Sequence, residues 1–367
     1  MRDRLKASLT DLMMIPGLAG HEGRVRRYLK AALGKLGLRT KTDRMGNLIA
    51  TISGREGAPS VMLFTHMDQL GLVVRKIEKS GLVRVERLGG VPERALAAQA
   101  VLFSIGEGRD VTGVIAHKSH HATGQDEKYK VVPYQDIYID AGFSSAEAVL
   151  DAGIDIGTPV VYKPNVVELA NDRISGTAVD DRAGCAVVLE VARQLADVSP
   201  RPTVHIVFST QEEFNLRGAV TAAQVLQPDI AIQIDLILAA DTPDMAGRGD
   251  VTLGGGPGMA MFSFHGRGTL NGTIPHPALV RLFEETAAAV GVRLQKSAHI
   301  GCLTDSSYVQ LVGQGVASID MGFPMRYSHS ALELCDLSDL EELTRLLVAG
   351  IAGIGPEFSL DRDDFEQ

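Results

Sequence analysis

Two adjacent carboxylates, Glu212 and Glu213, follow directly on the apolar run TVHIVFST. Like charges side by side at the end of a buried strand are costly unless something cationic holds them. A metal ion is one such holder: one carboxylate binds it while its neighbour moves protons for an activated water. Other candidate ligands stand at comparable places. His66 and Asp68 follow VMLF, Asp235 follows IAIQI, and His329 follows VASIDMGF; Asp180 and Asp181 sit in the loop before an apolar helical run. Imidazoles and carboxylates without cysteine suit a pair of divalent cations such as zinc, cobalt or manganese. Asp68, two residues beyond His66, could accept the second imidazole N–H and fix its tautomer.

Each residue also has an ordinary reading. Asp180 and Asp181 could cap the following helix, and Asp235 could cap a turn. Glu212 and Glu213 could be solvated, and His66 could be a satisfied polar group at a strand end. Their joint placement, one group per strand end, favours the metal site. The other histidines lack that placement. His117, His120 and His121 lie in a β-rich stretch, His205 lies within a strand, and His265, His276 and His299 have no ligand-like neighbours. Surface or packing roles are expected for these, although HKSHHATG could approach a substrate. The glycine run 254–256 lacks the strand and helix of a phosphate cradle and reads as a loop.

These groups need a scaffold that brings strand ends together. Periodicity predicts helices over 2–14, 21–36, 182–196, 276–290 and 336–351, with one after Gly218 and one from near Asp305. Strands are predicted near 38–42 and 47–53, and at VMLF, TVHIVFS, IAIQI and VASIDMGF. Between about 71 and 162 the pattern alternates as in strands, with a helix only around 144–152. The expected fold class is α/β: a mostly parallel mixed sheet covered by helices on both faces, with an inserted small β-barrel-like domain. Residues 1–70 and 163–367 would form the catalytic domain and 71–162 the insert. Sheets of this kind place ligands beyond the carboxyl ends of their strands.

Composition limits the alternatives. The 367 residues are 45% apolar with a net charge of −9, which supports a large core and argues against nucleic acid as a partner. No apolar stretch is long enough for a membrane span. Cys185, Cys302 and Cys335 are widely spaced and read as reduced thiols, so a cytoplasmic location is expected.

The blocks THMDQLG, SGTAVDDRAGCAVVLEV, STQEEFNLRGA, AADTPD and PMRYSHSALELCDLSDLE occur in this order across most of the chain. Together they resemble metallopeptidase family 42, the glutamyl, leucyl and deblocking aminopeptidases of tetrahedral type, some of them named endoglucanases. The resemblance implies a co-catalytic zinc-peptidase fold with two divalent ions per subunit, zinc first and cobalt or manganese as alternatives. It implies that His66, Asp180 and Asp235 hold one ion and Asp180, Glu213 and His329 the other. Glu212 would be the general base for a metal-bridging water, and Asp68 the orienter of His66. Asp241 stays open as an alternative to Asp235.

Three departures from the family pattern stand out: Gln69 where an acid is usual, Phe214-Asn215 for Val-Gly, and Leu236-Ile237 for Val-Thr. They bear on substrate preference. The implied activity is removal of N-terminal residues from peptides, in a dimer or dodecamer assembled through the insert. The rival readings are a metal-dependent deacylase or carboxypeptidase, and a weakly catalytic metal-binding assembly protein. Sugar hydrolysis fits less well, because its carboxylate pair needs no histidines.

Overall fold

The computed structural model describes residues 1–197, 202–266 and 270–364. Its central sheet has nine strands. Eight of them run in the order 40–42, 48–52, 204–209, 61–66, 230–238, 317–325, 258–264 and 272–273, and strand 295–300 pairs with 258–264. The four middle strands, 204–209, 61–66, 230–238 and 317–325, are mutually parallel, and antiparallel strands flank them. Parallel pairing in the middle explains the uninterrupted apolar runs there, since such strands are covered on both faces. All six positions of Val61–His66 are buried.

Side chains alternate across the sheet, so each strand feeds two cores. Val61, Leu63, Ile206, Phe208, Ile232, Ile234, Ile319 and Met321 face the larger core with helices Arg2–Met13, Gly23–Lys35, Pro277–Val290 and Leu337–Gly353. Met62, Phe64, Val207 and Ala231 face a smaller core under helix Gly218–Leu226. His66, Gln233, Asp235 and Asp320 share the parity of this second face. Continuing the pairing Gln233–Phe64 by two residues sets Asp235 level with His66. The polar residues of the middle strands are thereby collected on the thinly covered face.

Residues 71–162 form a closed six-stranded barrel: 71–77, 83–88, 138–140, 111–115, 100–103 and 159–162, with the last pairing to the first. Its interior holds Leu72, Val74, Val83, Val85, Val101, Phe103, Ile115, Ile139 and Val160. Arg24 on helix Gly23–Lys35 grips Asp110 of the barrel through two hydrogen bonds of 2.5 and 2.8 Å. A third, three-stranded sheet joins 166–169, 173–176 and 333–336. Strand 173–176 falls in the loop NDRISGTAVDD of the sequence reading, and strand 166–169 goes unassigned there, because each is only four residues long. Strand 230–238 runs three residues past Asp235, so that residue lies within the strand and not beyond its end. The helix from Asp305 is a single turn, Ser306–Val309. Among the described residues, no helix is long and apolar enough to cross a membrane.

Close strand packing makes one glycine in the middle sheet indispensable. Gly322 pairs with Asp235, and a Cβ there would run into the Asp235 carbonyl oxygen. Gly34, exposed on helix Gly23–Lys35, has no atom within 4 Å of where a Cβ would stand. Gly322→Ala is therefore expected to destabilise by about 1–3 kcal/mol, and Gly34→Ala to stabilise by roughly 0.5–1 kcal/mol. Urea unfolding of the two variants should give opposite signs; equal effects would show that Gly322 is not constrained.

Candidate metal centre

At the upper end of the parallel strands the candidate residues meet. His66 closes its strand, and its Nε2 lies 3.0 Å from Asp180 Oδ1. The other oxygen of Asp180 is 3.5 Å from His329 Nε2, which in turn is 3.9 Å from Glu213 Oε2. One donor atom from each of His66, Asp180 and Asp235 lies within 4.8 Å of the others, and the same holds for Asp180, Glu213 and His329. Asp180 belongs to both groups. Ligands at the usual 2.0–2.1 Å from a tetrahedral ion are about 3.3 Å apart, so the observed spacings require little adjustment. Asp241 is elsewhere: it pairs with Arg326 at 2.6 and 2.8 Å and accepts from the Leu253 amide.

The adjacent acids Asp180 and Asp181 divide the two roles the sequence leaves open. The bond between them is cis, and both have non-helical backbone angles before helix 182–197 begins. Asp181 turns away from the cluster. It accepts from the Gly184 amide at 3.0 Å, as a helix cap does, and from the Thr65 hydroxyl.

Both imidazoles are oriented through Nδ1. Each Nδ1 faces oxygen acceptors alone, a carbonyl nearest in both cases, so each Nδ1 carries the proton and each Nε2 points at carboxylates. His66 Nδ1 donates to the Asp68 carbonyl at 3.2 Å, and the Asp68 carboxylate is farther, at 3.5 Å. The Asp68 carboxylate is engaged instead by the amides of Glu212 and Glu213, at 3.0 and 3.1 Å. Asp68 thus orients His66 with its main chain and the glutamate pair with its side chain. His329 Nδ1 donates to the Gly90 carbonyl at 2.9 Å. Gly90 belongs to the barrel, and a Cβ there would stand 2.9 Å from the His329 ring.

The sequence reading misses several supports. Glu333, buried on strand 333–336, accepts from the amides of Asp180 (3.0 Å) and His329 (2.7 Å), one on each oxygen. Its place among apolar neighbours in the run LELC gives no sign of this. Glu22 accepts from the amides of Gly20 and Gln211 and so braces the turn before Glu212. Burial, reinforced by Asp68, pushes Glu22 up to about 7. Arg182 is fully buried and donates to the carbonyls of Met67 and Ile15. Gln69 accepts from the Gly17 amide beside it. Gly254 and Gly256 do hold an anion, but an internal one: both amides donate to Asp339.

The electrostatics show that positive charge is short. Burial pushes Glu212 and Asp235 well above the usual carboxylate range, and burial raises Glu213 to about 7. Burial also works against Asp180, but the two imidazoles overcome it and hold this carboxyl low. Burial alone would depress His66 and His329, yet the carboxylates, led by Glu212 for the first and Glu213 for the second, hold both well above the usual range. Glu213 Oε1 is buried without a partner. An orphaned carboxylate oxygen, a shared aspartate and two imidazoles presenting Nε2 form a donor set that fits two divalent cations.

The site opens into a cavity of about 460 Å³ whose walls include Leu216, Leu236, Leu238, His265, Cys302 and Leu303. His265 stands on the wall of this cavity. Among the described residues, no lysine or arginine lines this cavity.

Known proteins share this architecture. Residues 46–346 match the model of the family described as M42 glutamyl aminopeptidase. The chain is 36% identical to the putative aminopeptidase SgcX of Escherichia coli over 95% of this chain and 94% of the relative. Aminopeptidase APDkam598 of Desulfurococcus kamchatkensis superposes with a TM-score of 0.91 at 31% identity, covering 100% of this chain and 98% of that one. The TET1 peptidase of Pyrococcus horikoshii, which can assemble into a tetrahedron or a large octahedral shell, superposes with a TM-score of 0.84 at 28% identity, covering 95% and 99%.

Glu333 supplies a test of the scaffold. Glu333→Ala removes the acceptor for two amides beside the cluster, and a stability loss of about 2–4 kcal/mol is expected. Urea unfolding of metal-free protein measures it. A loss under 0.5 kcal/mol would mean that water replaces the carboxylate and that Glu333 does not hold the site.

Proposed function

This chain belongs to the M42 glutamyl aminopeptidase family and is a hydrolase of the peptidase class; from that premise we propose that it removes N-terminal residues from peptides with two divalent cations. His66, Asp180 and Asp235 would hold one ion, and Asp180, Glu213 and His329 the other, with zinc the first candidate and cobalt or manganese the alternatives. The ions would supply Lewis acidity to water and to the scissile carbonyl. The observation that carries the reading is the cavity wall: carboxylates and imidazoles gather at its base, and no described lysine or arginine lines it. A free N-terminal ammonium suits such a wall, whereas a substrate read by its carboxylate does not. This favours an aminopeptidase over a carboxypeptidase or deacylase.

Glu212 lines the cavity with its carboxylate beside the metal ligands, and its proton affinity is raised by burial. In this role it takes a proton from the attacking water and gives one to the nitrogen of the leaving amine. The Asp68 carboxylate, by holding the Glu212 and Glu213 amides, keeps the base at one side of the cluster and the ligand at the other. Gly90 keeps His329 Nε2 turned toward Asp180.

Assembly through residues 71–162 belongs to the same proposal. The TET1 relative can assemble into a tetrahedron or a large octahedral shell, and here the barrel segment exposes Tyr129, Val131, Val132 and Ile156. Three unpaired cysteines fit a reducing compartment such as the cytoplasm. Light scattering should report a dimer or dodecamer, and a monomer at micromolar concentration would end the assembly reading.

Chromogenic amino-acid anilides with free and acylated N-termini test the activity. Cleavage is expected only of the free forms. Glu212→Gln should retain both ions by mass spectrometry while turnover falls about 10²–10⁴-fold, and Asp180→Ala should lose both ions. Preferential cleavage of acylated substrates, or metal loss in Glu212→Gln, contradicts the assignment.

A further inference from the structure

Beside Asp235 a second, small cavity of about 40 Å³ adjoins the main one. The two share the walls Asp235, Leu236, Leu238, Cys302 and Thr304. The small cavity exists because strand 258–264 pairs with strand 317–325 only at Gly258 and Met259, and then diverges from it. The split leaves Ser263 and His299 on one side and Asp320 on the other.

Its wall is mostly apolar, but three of its residues carry buried polar atoms without a hydrogen-bond partner. Asp320 is 4% exposed; its Oδ2 accepts from the Thr304 hydroxyl at 2.9 Å, the Ser306 hydroxyl also favours its ionised form, and its Oδ1 makes no hydrogen bond. Ser263 is 5% exposed, and its hydroxyl is also without a partner, as is His299 Nε2. No lysine or arginine among the described residues lies within ion-pair distance of Asp320. A buried carboxylate without a cation is a standing cost, and three orphaned polar atoms on one small space ask for a ligand.

We propose that this cavity receives the end of the substrate's N-terminal side chain, and that the group it takes is a primary ammonium, so that the enzyme prefers lysine at the N-terminus. The inference rests on the aminopeptidase reading. The aliphatic stem of lysine would pass Leu236, Leu238 and Cys302, which are apolar or nearly so. Its ammonium has three donors, matching Asp320 Oδ1, the Ser263 hydroxyl oxygen and His299 Nε2. Burial and nearby Arg248 hold His299 below its ordinary range, which keeps its ring neutral and able to accept. The three acceptors stand on both sides of the split, which the rotatable donors of an ammonium can meet and the fixed planar fork of a guanidinium meets less well. Arginine therefore ranks below lysine, and glutamate is excluded by Asp320. An uncharged tail such as norleucine would leave the same polar atoms unpaired.

The test compares lysyl, arginyl, norleucyl and glutamyl anilides on the metal-loaded enzyme and on Asp320→Asn. The wild-type kcat/KM for lysine should exceed that for norleucine by roughly 10- to 100-fold. Asp320→Asn should lose most of that advantage and leave norleucine within about threefold. A wild-type preference for norleucine or glutamate overturns the subsite while leaving the aminopeptidase reading intact. An equal fall on all substrates in Asp320→Asn also overturns it, because the residue would then be structural. Calorimetry with L-lysinamide and L-norleucinamide gives a second measure independent of turnover. Tighter lysinamide binding supports the subsite even if no anilide is cleaved, in which case the aminopeptidase reading fails alone. Equal or weaker lysinamide binding overturns the subsite.

Discussion

The arrangement at the top of the sheet is governed by an excess of buried negative charge. Asp68, Asp180, Glu212, Asp235, Asp305 and Glu333 are all at least nine-tenths buried within one region, and the Glu213 side chain is buried beside them. The fully buried Arg182 is spent on main-chain carbonyls. Taking a carboxylate out of water costs several kcal/mol unless it is paired. The protein compensates some of these acids with main-chain amides: two on Asp68, two on Glu333 and two on Glu22. Asp180 and Glu213 are left facing two imidazoles and each other, and Asp235 has one amide, that of Leu236, beside the Gln233 side chain. The acids held by two amides form the frame, and these less compensated ones form the proposed metal site.

This division explains why the frame is made from distant pieces. Glu333 comes from a short strand of the third sheet, yet it fixes the main chain of Asp180 and His329 together. Gly90 comes from the barrel, yet it sets which nitrogen of His329 faces Asp180. The barrel is held to the catalytic part by Arg24 and Asp110, a bidentate pair largely withdrawn from solvent. A module proposed to mediate assembly is thus also part of the wall of the site. Movement of the barrel on association would be felt at His329 through a single hydrogen bond.

Much of this was legible in the sequence, and the parts that were not have a common cause. The apolar runs identify the middle strands because parallel strands buried on both faces need them. The polar residues interrupting or ending those runs then stand out, which is why His66, Glu212, Glu213, Asp235 and His329 could be named. The pair Asp180-Asp181 could not be divided by position alone, since either carboxylate can cap a helix. Asp235 was placed beyond its strand because the apolar run stops there, whereas pairing with strand 317–325 carries the ladder to Leu238. Glu333, Gly90 and Glu22 carry no local signal. Their roles arise from contacts across 153, 239 and 189 residues of chain, and periodicity within a window cannot register them.

The same reasoning separates what the family shares from what this chain adds. The carboxylates around the proposed ions answer to the reaction, and all but Asp235 sit in the blocks that resemble the family. Asp320 answers to neither. It lies one strand over from Gln233, on the face that carries His66 and Asp235, where an apolar residue would pack without penalty. Gln233 spans part of the gap: it donates to Asp235 and accepts from the Ser306 amide. Asp320 is left with the hydroxyls of Thr304 and Ser306 and no cation among the described residues. A second buried acid beside a charged centre, retained without a fixed counter-charge, is explained when the counter-charge arrives with the substrate.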